Sequence, residues 1–167
     1  MTDKQYRGLV VMMVGIPASG KSTWISQNRK PSWNVISPDQ FLEEKYDYEW
    51  TPERASEAWA RSFQRYGQYL LDGGTVVWDA TFLSPIIRAS VLHIGKGAGF
   101  KTQAIFFDID IDVCIQRNSK RFREPVPEQT IRRMHAALIP PTVEEGFDQV
   151  TIHQDDLDIS NSISSDS

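Results

Sequence analysis

Short apolar runs alternate along the chain with longer amphipathic stretches. Leu9-Val10-Val11-Met12-Met13-Val14 is continuous rather than alternating, the pattern of a strand buried on both faces of a parallel sheet. It ends in Gly15. A helix is expected from near Lys21 through Trp24 and Ile25, with Pro31 as its stop. A short second strand at residues 34–36 leads into Ser37-Pro38-Asp39, a helix start with proline at the first helical position. Asp39 then lies just past a strand's carboxyl end. Ala55, Trp59, Phe63, Tyr66 and Leu70 recur at three- and four-residue steps, predicting an amphipathic helix over 53–71 despite Gly67.

Gly73-Gly74 breaks that helix before another buried strand, Thr75-Val76-Val77-Trp78, which delivers Asp79. Ser84-Pro85 opens the next helix, whose apolar face is read as Ile86, Ile87, Ser90, Val91 and Ile94, with a glycine-rich stop at 95–99. A fourth strand is expected over 101–108, helices over 110–121 and 125–138, and a last strand over 149–153. Strands alternating with helices imply an α/β fold with parallel strands, right-handed crossovers and ligands at the strand carboxyl ends.

With 167 residues and 40% hydrophobic content, the chain has enough apolar side chains for one substantial core. One domain is expected over 1–153, followed by an acidic, serine-rich tail over 154–167 that has little to bury and should be disordered. The apolar run at 9–16 is far too short to cross a membrane, and the N-terminus has no signal-peptide pattern. No membrane partner and a cytoplasmic location are the expectation. Cys114 is the only cysteine, so no intrachain disulfide forms and the residue reads as a small apolar group on a helix. The net charge of −4 hides an uneven distribution, because residues 117–133 carry six Arg or Lys against two Glu. Part of the surface can still face an anion.

Gly15-Ile16-Pro17-Ala18-Ser19-Gly20-Lys21-Ser22 fits G-x-x-x-x-G-K-[ST] at every fixed position. The glycines let successive backbone N–H groups turn toward phosphates, and the helix that follows adds its positive end. Lys21 then reaches the β- and γ-phosphates of ATP, Ser22 ligates Mg²⁺, and Pro17, Ala18, Ser19 and Thr23 belong to the same nucleotide cradle. Asp79, ending a strand, either holds Mg²⁺ or caps the turn into the next helix. Thr81 is close enough in sequence to face the same phosphates.

Transfer of a phosphoryl group to an alcohol needs a base, and Asp39 is the best placed carboxylate, its alternative being support of a helix N-terminus. Charge also develops on the transferring group. Arg117, Lys120, Arg121 and Arg123 cluster where a helix meets a proline-rich segment, as a closing lid or as a solvated helix end. Arg54, Arg61 and Arg65 share a helix face beside Tyr46, Tyr48 and Trp50, a combination that suits single-stranded nucleic acid and equally suits a solvated helix surface.

These residues resemble the kinase domain of the bacteriophage-type polynucleotide 5′-hydroxyl kinases, a group of small P-loop kinases. The likeness rests on GIPASGKSTW from Gly15, SPDQF from Ser37, Asp79-Ala80-Thr81, RNSKR from Arg117 followed by Val126-Pro127, and Glu145-Gly146-Phe147-Asp148. It implies a three-layer, adenylate-kinase-like fold with a parallel sheet of four to five strands, ordered 2-3-1-4-5, and a helical lid. It further implies transfer of the γ-phosphate of ATP to a 5′-hydroxyl end of DNA or RNA. Matching the motifs, Asp39 is the general base, Arg121 the lid arginine, Asp79 a neighbour of the metal, and Arg117 and Val126 flank adenine. Leu42 departs from the pattern, since the phage-type enzymes place there an arginine that holds the acceptor. The alternatives are a P-loop kinase for a small metabolite or another macromolecular hydroxyl, and an ATP-binding switch.

Overall fold

The computed structural model describes residues 5–123 and 125–155. Five strands, β1 (Gly8–Val14), β2 (Trp33–Ile36), β3 (Gly74–Trp78), β4 (Lys101–Phe107) and β5 (Gln149–His153), form one sheet. Its order is β2-β3-β1-β4-β5 and every pairing is parallel. Six helices connect the strands: α1 (Lys21–Asn28), α2 (Pro38–Tyr46), α3 (Pro52–Asp72), α4 (Pro85–Gly97), α5 (Ile111–Ser119) and α6 (Glu128–Ala137). The expected α/β architecture and strand order are therefore present. Of the tail expected over 154–167, all but Gln154 and Asp155 lies outside the described residues.

Alternate residues of the central strands feed two cores. Val10, Met12 and Val14 join Val76, Trp78, Ala104 and Phe106 under Tyr66 and Leu70 of α3 and Val91 and Leu92 of α4. On the opposite face, Val11 and Met13 join Val77, Ile105 and Phe107 against Ile25 of α1, Cys114 of α5 and Ile131 of α6. Helices on both faces explain why the strands read as unbroken apolar runs. Cys114 is buried, and burial pushes its thiol up to about 11, as befits an inert apolar residue.

The inner face of α4 differs from the expectation. Arg88, Val91, Leu92 and Gly95 are buried, whereas Ile86 is 87% exposed and Ile87 and Ile94 also face outward. The reason is Arg88, which is fully buried yet has a partner for each of its three guanidinium nitrogens. Its Nη1 donates to the carbonyls of Phe82 (2.8 Å) and Ile139 (3.0 Å), and its Nε donates to Glu145 Oε2 at 2.8 Å. A second bond from Nη2 to Glu145 Oε1 completes a bidentate fork. The following segment, held by the short 3₁₀ turn Val143–Glu145, is thereby tied to α4. Asp148 then accepts from Thr102 N and Thr102 Oγ1 at 2.8 and 3.0 Å, fixing β5 on β4. Glu145→Ala leaves the Arg88 guanidinium buried without its counter-charge, so the thermal unfolding midpoint is expected to drop by roughly 10 °C, from a loss of about 3–5 kcal/mol. An unchanged unfolding midpoint refutes this reading of the pair.

Because β2, β3 and β1 are adjacent and in register, with Ile36 opposite Trp78 and Met12 opposite Trp78, the loops that follow them leave the sheet side by side. The main chain reinforces this edge: Asp79 N donates to Ile36 O at 2.8 Å and Gly15 N donates to Thr81 O at 3.0 Å. Trp78 is packed on by Trp59, stacked at 5.9 Å, and by Phe63, Tyr66 and Phe82. That aromatic block fixes the strand end carrying Asp79.

Candidate active site

The loop from Gly15 to Gly20 has the geometry its glycines require. A Cβ on Gly15 would lie 2.7 Å from Ser19 Oγ and 3.1 Å from Phe107 Cβ, so only glycine fits. Gly20 has φ +97, a left-handed conformation that costs other residues about 1 kcal/mol or more. Ala18 also has positive φ, at 62°. Ser19 is buried, while Pro17 and Ala18 are partly exposed. Gly20 caps α1 without a side-chain hydrogen bond and the first turn contains no acidic residue, so the positive end of α1 is left for an anion.

Lys21 is buried beneath the loop. Its Nζ donates to the carbonyls of Gly15 and Ile16 at 2.9 and 2.8 Å. Burial pushes its pKa down to about 8, against the opposing pull of Asp79 and Asp39. Ser22 and Thr23 are exposed on the first turn of α1. Ser22 Oγ donates to Asp79 Oδ2 at 2.7 Å, bringing two hard oxygens together. Burial raises the Asp79 pKa despite the lowering effects of Ser22 and Lys21. A carboxylate so poorly compensated favours an incoming cation. Among the described residues no group of three or more His, Cys, Asp or Glu could hold a metal. Ser22 and Asp79 could hold an Mg²⁺ ion whose remaining shell comes from phosphate and water, which suits this ion. Thr81 contributes its carbonyl to the loop, and its side chain is half-exposed.

Asp39 stands in the first turn of α2, whose N-cap Ser37 accepts from Gln40 N at 3.2 Å. Ser37 performs the capping, which leaves the Asp39 carboxylate free of that task, with its side chain 73% exposed. Its ion-pair partner is Arg123, with Nη2 3.9 Å from Oδ2. Arg121 is half-buried; its pKa is lowered by burial and by Arg123 and raised by Asp39 and Asp79. Lys21, Arg121, Asp39 and Asp79 thus share one electrostatic neighbourhood.

Arg117 lies over the loop, with Nη1 4.0 Å from the Cβ position of Gly20. Asp155 grips it with two bonds of 2.9 Å. Asn118 is buried and clamps Val126, its Nδ2 donating to Val126 O at 2.7 Å and its Oδ1 accepting from Val126 N at 3.1 Å. Sequence reasoning missed Asn118 and Asp155; an asparagine inside an otherwise basic motif was the available signal for the first.

The three arginines of α3 are not equivalent. Arg54 is bound to the carboxylate and the carbonyl of Glu49 and lies 4.6 Å above the Tyr46 ring. Arg61 pairs loosely with Glu57 at 4.0 Å. Arg61 and Arg65 together line a cavity of about 240 Å³ with Ile36, Ser37 and Phe41, at the root of the helix carrying Asp39.

Sheet order, phosphate loop and flanking carboxylates define a P-loop domain of the kinase type. The chain belongs to the AAA domain family AAA_33, whose match spans residues 10–141. It is 25% identical over 164 residues to transcription factor bHLH140 of Arabidopsis thaliana, covering 93% of this chain and 17% of that protein. Among solved structures, a chain of the Pnkp1/Rnl/Hen1 RNA repair complex is similar with TM-score 0.72 and 20% identity, over 82% of this chain and 46% of that one. Kti12 of Chaetomium thermophilum in complex with ADP-AlF3 is similar with TM-score 0.65 and 13% identity, over 92% and 94% of the respective chains. The chain therefore spans less than half the length of the first two relatives. At these identities the structural likeness establishes the fold. Among the described residues, no helix is long and apolar enough to cross a membrane.

Proposed function

We propose that this protein is an ATP-dependent kinase that transfers the γ-phosphate to the 5′-hydroxyl end of DNA or RNA, with residues 1–153 as its kinase unit. The observation that carries the reading is the placement of Asp39, an exposed carboxylate beside the phosphate loop and facing the cations of the lid. An ATP-hydrolysing switch has no need of a base outside the phosphate cradle. The neighbour from an RNA repair complex supports a polynucleotide acceptor.

The nucleotide's phosphates lie on the backbone N–H groups between Gly15 and Gly20, and Lys21 turns from the loop carbonyls to the β- and γ-phosphates. Arg117, held by Asp155, and Val126, held by Asn118, border the adenine. Ser22 and Asp79 would hold Mg²⁺, which would supply neutralisation of the phosphate charge. The acceptor hydroxyl gives its proton to an Asp39 carboxylate oxygen as its own oxygen bonds to the γ-phosphorus. The bond from phosphorus to the β-γ bridging oxygen breaks, its electron pair leaves with ADP, and Asp39 later releases the proton to solvent. Arg121 meets the charge that builds on the transferring group.

Incubation with γ-labelled ATP, Mg²⁺ and 5′-hydroxyl oligonucleotides, beside a panel of small alcohols, tests the proposal directly. Label on the oligonucleotides is expected. Label on a small alcohol alone favours the second reading, a metabolite kinase, whose supporting observation is Leu42: it is 7% exposed and brings no cation to the acceptor side. Asp39→Asn is expected to keep ATP affinity and to lower the saturated rate by roughly 10²-fold or more. An unchanged saturated rate removes Asp39 as the base. Substituting Arg61 and Arg65 with alanine is expected to raise the oligonucleotide KM and to flatten its log-log salt dependence by about 0.7 for each phosphate that the side chains no longer neutralise. An unchanged slope makes the α3 surface an ordinary solvated face.

A further inference from the structure

The acceptor side of the cleft receives little positive charge from its own helix. Leu42 of α2 is turned into the protein, and Lys45, the basic residue in the last turn of α2, is bound to Glu57 at 2.5 Å. The guanidinium that pairs with Asp39 comes from the lid segment. Arg123 lies with its guanidinium carbon 4.5 Å from the centre of the Tyr48 ring, so the aromatic face supports one side of its plane. Tyr48 is aimed there by an unusual turn: Asp47 and Tyr48, consecutive and neither of them glycine, have φ of 49° and 62°.

Arg123 also differs from other arginines of the chain in how it is partnered. Arg54 through Nη1, Arg117 through Nη2 and Arg88 through its Nε–Nη2 fork are each bound directly by a carboxylate. Arg123 stands 3.9 Å from Asp39, too far for a direct hydrogen bond. The two groups attract without consuming the bidentate donors that make arginine suited to phosphate. A hydroxyl that gives its proton to Asp39 must lie against this pair, and the phosphate of the same nucleotide lies one ribose farther.

We propose that Arg123, backed by Tyr48, receives the phosphate on the 3′ side of the acceptor nucleoside, so that this pair selects a phosphate-bearing acceptor. This role rests on the polynucleotide reading of the site and deepens it. It assigns the acceptor's anion to Arg123 of the lid segment. The cavity at Arg61 and Arg65 opens between α3 and the start of α2 and would serve phosphates farther along a strand.

The test compares a nucleoside 3′-monophosphate, the same nucleoside without phosphate, and a 5′-hydroxyl oligonucleotide as acceptors at saturating ATP. The wild-type protein is expected to prefer the phosphate-bearing acceptors. In Arg123→Ala that preference, measured as a ratio of kcat/KM, should shrink by about ten- to a hundredfold, the worth of one charge-assisted hydrogen bond. Most of the change should appear in the acceptor KM, with the KM for ATP moving less than about twofold. Arg123→Lys should recover part of the preference, because it keeps the charge and loses the fork. Tyr48→Leu should weaken the preference in the same direction. Circular dichroism checks that each variant is folded.

An equal fall in kcat for acceptors with and without phosphate overturns the inference, since Arg123 would then only hold Asp39 in place. A preference that survives in Arg123→Ala overturns it too, while leaving the polynucleotide reading intact. Failure of the wild-type protein to label any of the phosphate-bearing acceptors removes that reading, and this inference with it.

Discussion

Replacing Lys21 by methionine is expected to lower phosphoryl transfer by roughly 10³-fold or more, from loss of a preorganised cation at the phosphates, while leaving the nucleotide-free domain at least as stable as the wild type. The second half follows from burial. The Lys21 ammonium is held on the carbonyls of Gly15 and Ile16, and its pKa falls from 10.5 to about 8 because burial penalises the charged form. Between about 8 and 10.5 the unfolded chain keeps a proton that the folded chain has released. Stability therefore rises with pH through that window, and the penalty is fully present below it. Methionine fills similar space without the charge, so the stability gap between variant and wild type should narrow as pH climbs from about 8 to 10.5. Urea unfolding across that range measures the gap, and a flat difference contradicts the buried lysine. Near-wild-type turnover in the variant removes the phosphate loop from the chemistry altogether.

What could be read from the chain depended on whether the determining interactions were local. The central strands β1, β3 and β4 were legible because a strand covered on both faces leaves little room for a polar residue. Asp79 was legible because it follows such a strand, whereas Asp39 follows the half-buried edge strand β2 and was marked by the Ser37-Pro38 helix start. The strand order was not contained in the periodicity; it came from likeness to a kinase family, since parallel neighbours are joined through helices and do not mark one another locally.

The α4 face was misread for a different reason. Isoleucines at 86, 87 and 94 carry the strongest apolar signal, yet the helix turns Arg88 inward because Glu145 waits there. Hydrophobicity alone cannot anticipate a buried charge whose partner is distant in sequence. The pairs Arg117 with Asp155, Asn118 with Val126, and Arg123 with Asp39 escaped notice on the same grounds. Glu145 and Asp148 show the converse. Both belonged to a segment that looked like family signature, and both hold the frame: one neutralises Arg88, the other ties β5 to Thr102.

Arg121→Ala is expected to lower the saturated rate by roughly 10³-fold while shifting ATP affinity much less. The position of the guanidinium is the reason. Arg121 is half-buried, close enough to Asp39 and Asp79 for both to raise its pKa, and close enough to Lys21 to lower that residue's pKa in turn. It therefore shares the electrostatic neighbourhood of the phosphate-loop lysine and the two carboxylates. Burial and the neighbouring Arg123 both disfavour its charge in the nucleotide-free protein. A group held under such repulsion is relieved most when negative charge arrives, and that charge is spread most fully over the γ-phosphoryl oxygens at the transition state. ADP with aluminium fluoride mimics that state, whereas ADP alone does not. The affinity of Arg121→Ala for the mimic should fall in step with the rate, and its affinity for ADP should stay near that of the wild type. Arg121→Lys should recover only part of the loss, because the ammonium offers charge without the planar fork. If the mimic and ADP weaken equally and the saturated rate is preserved, Arg121 is a ground-state contact and the lid's catalytic charge lies elsewhere.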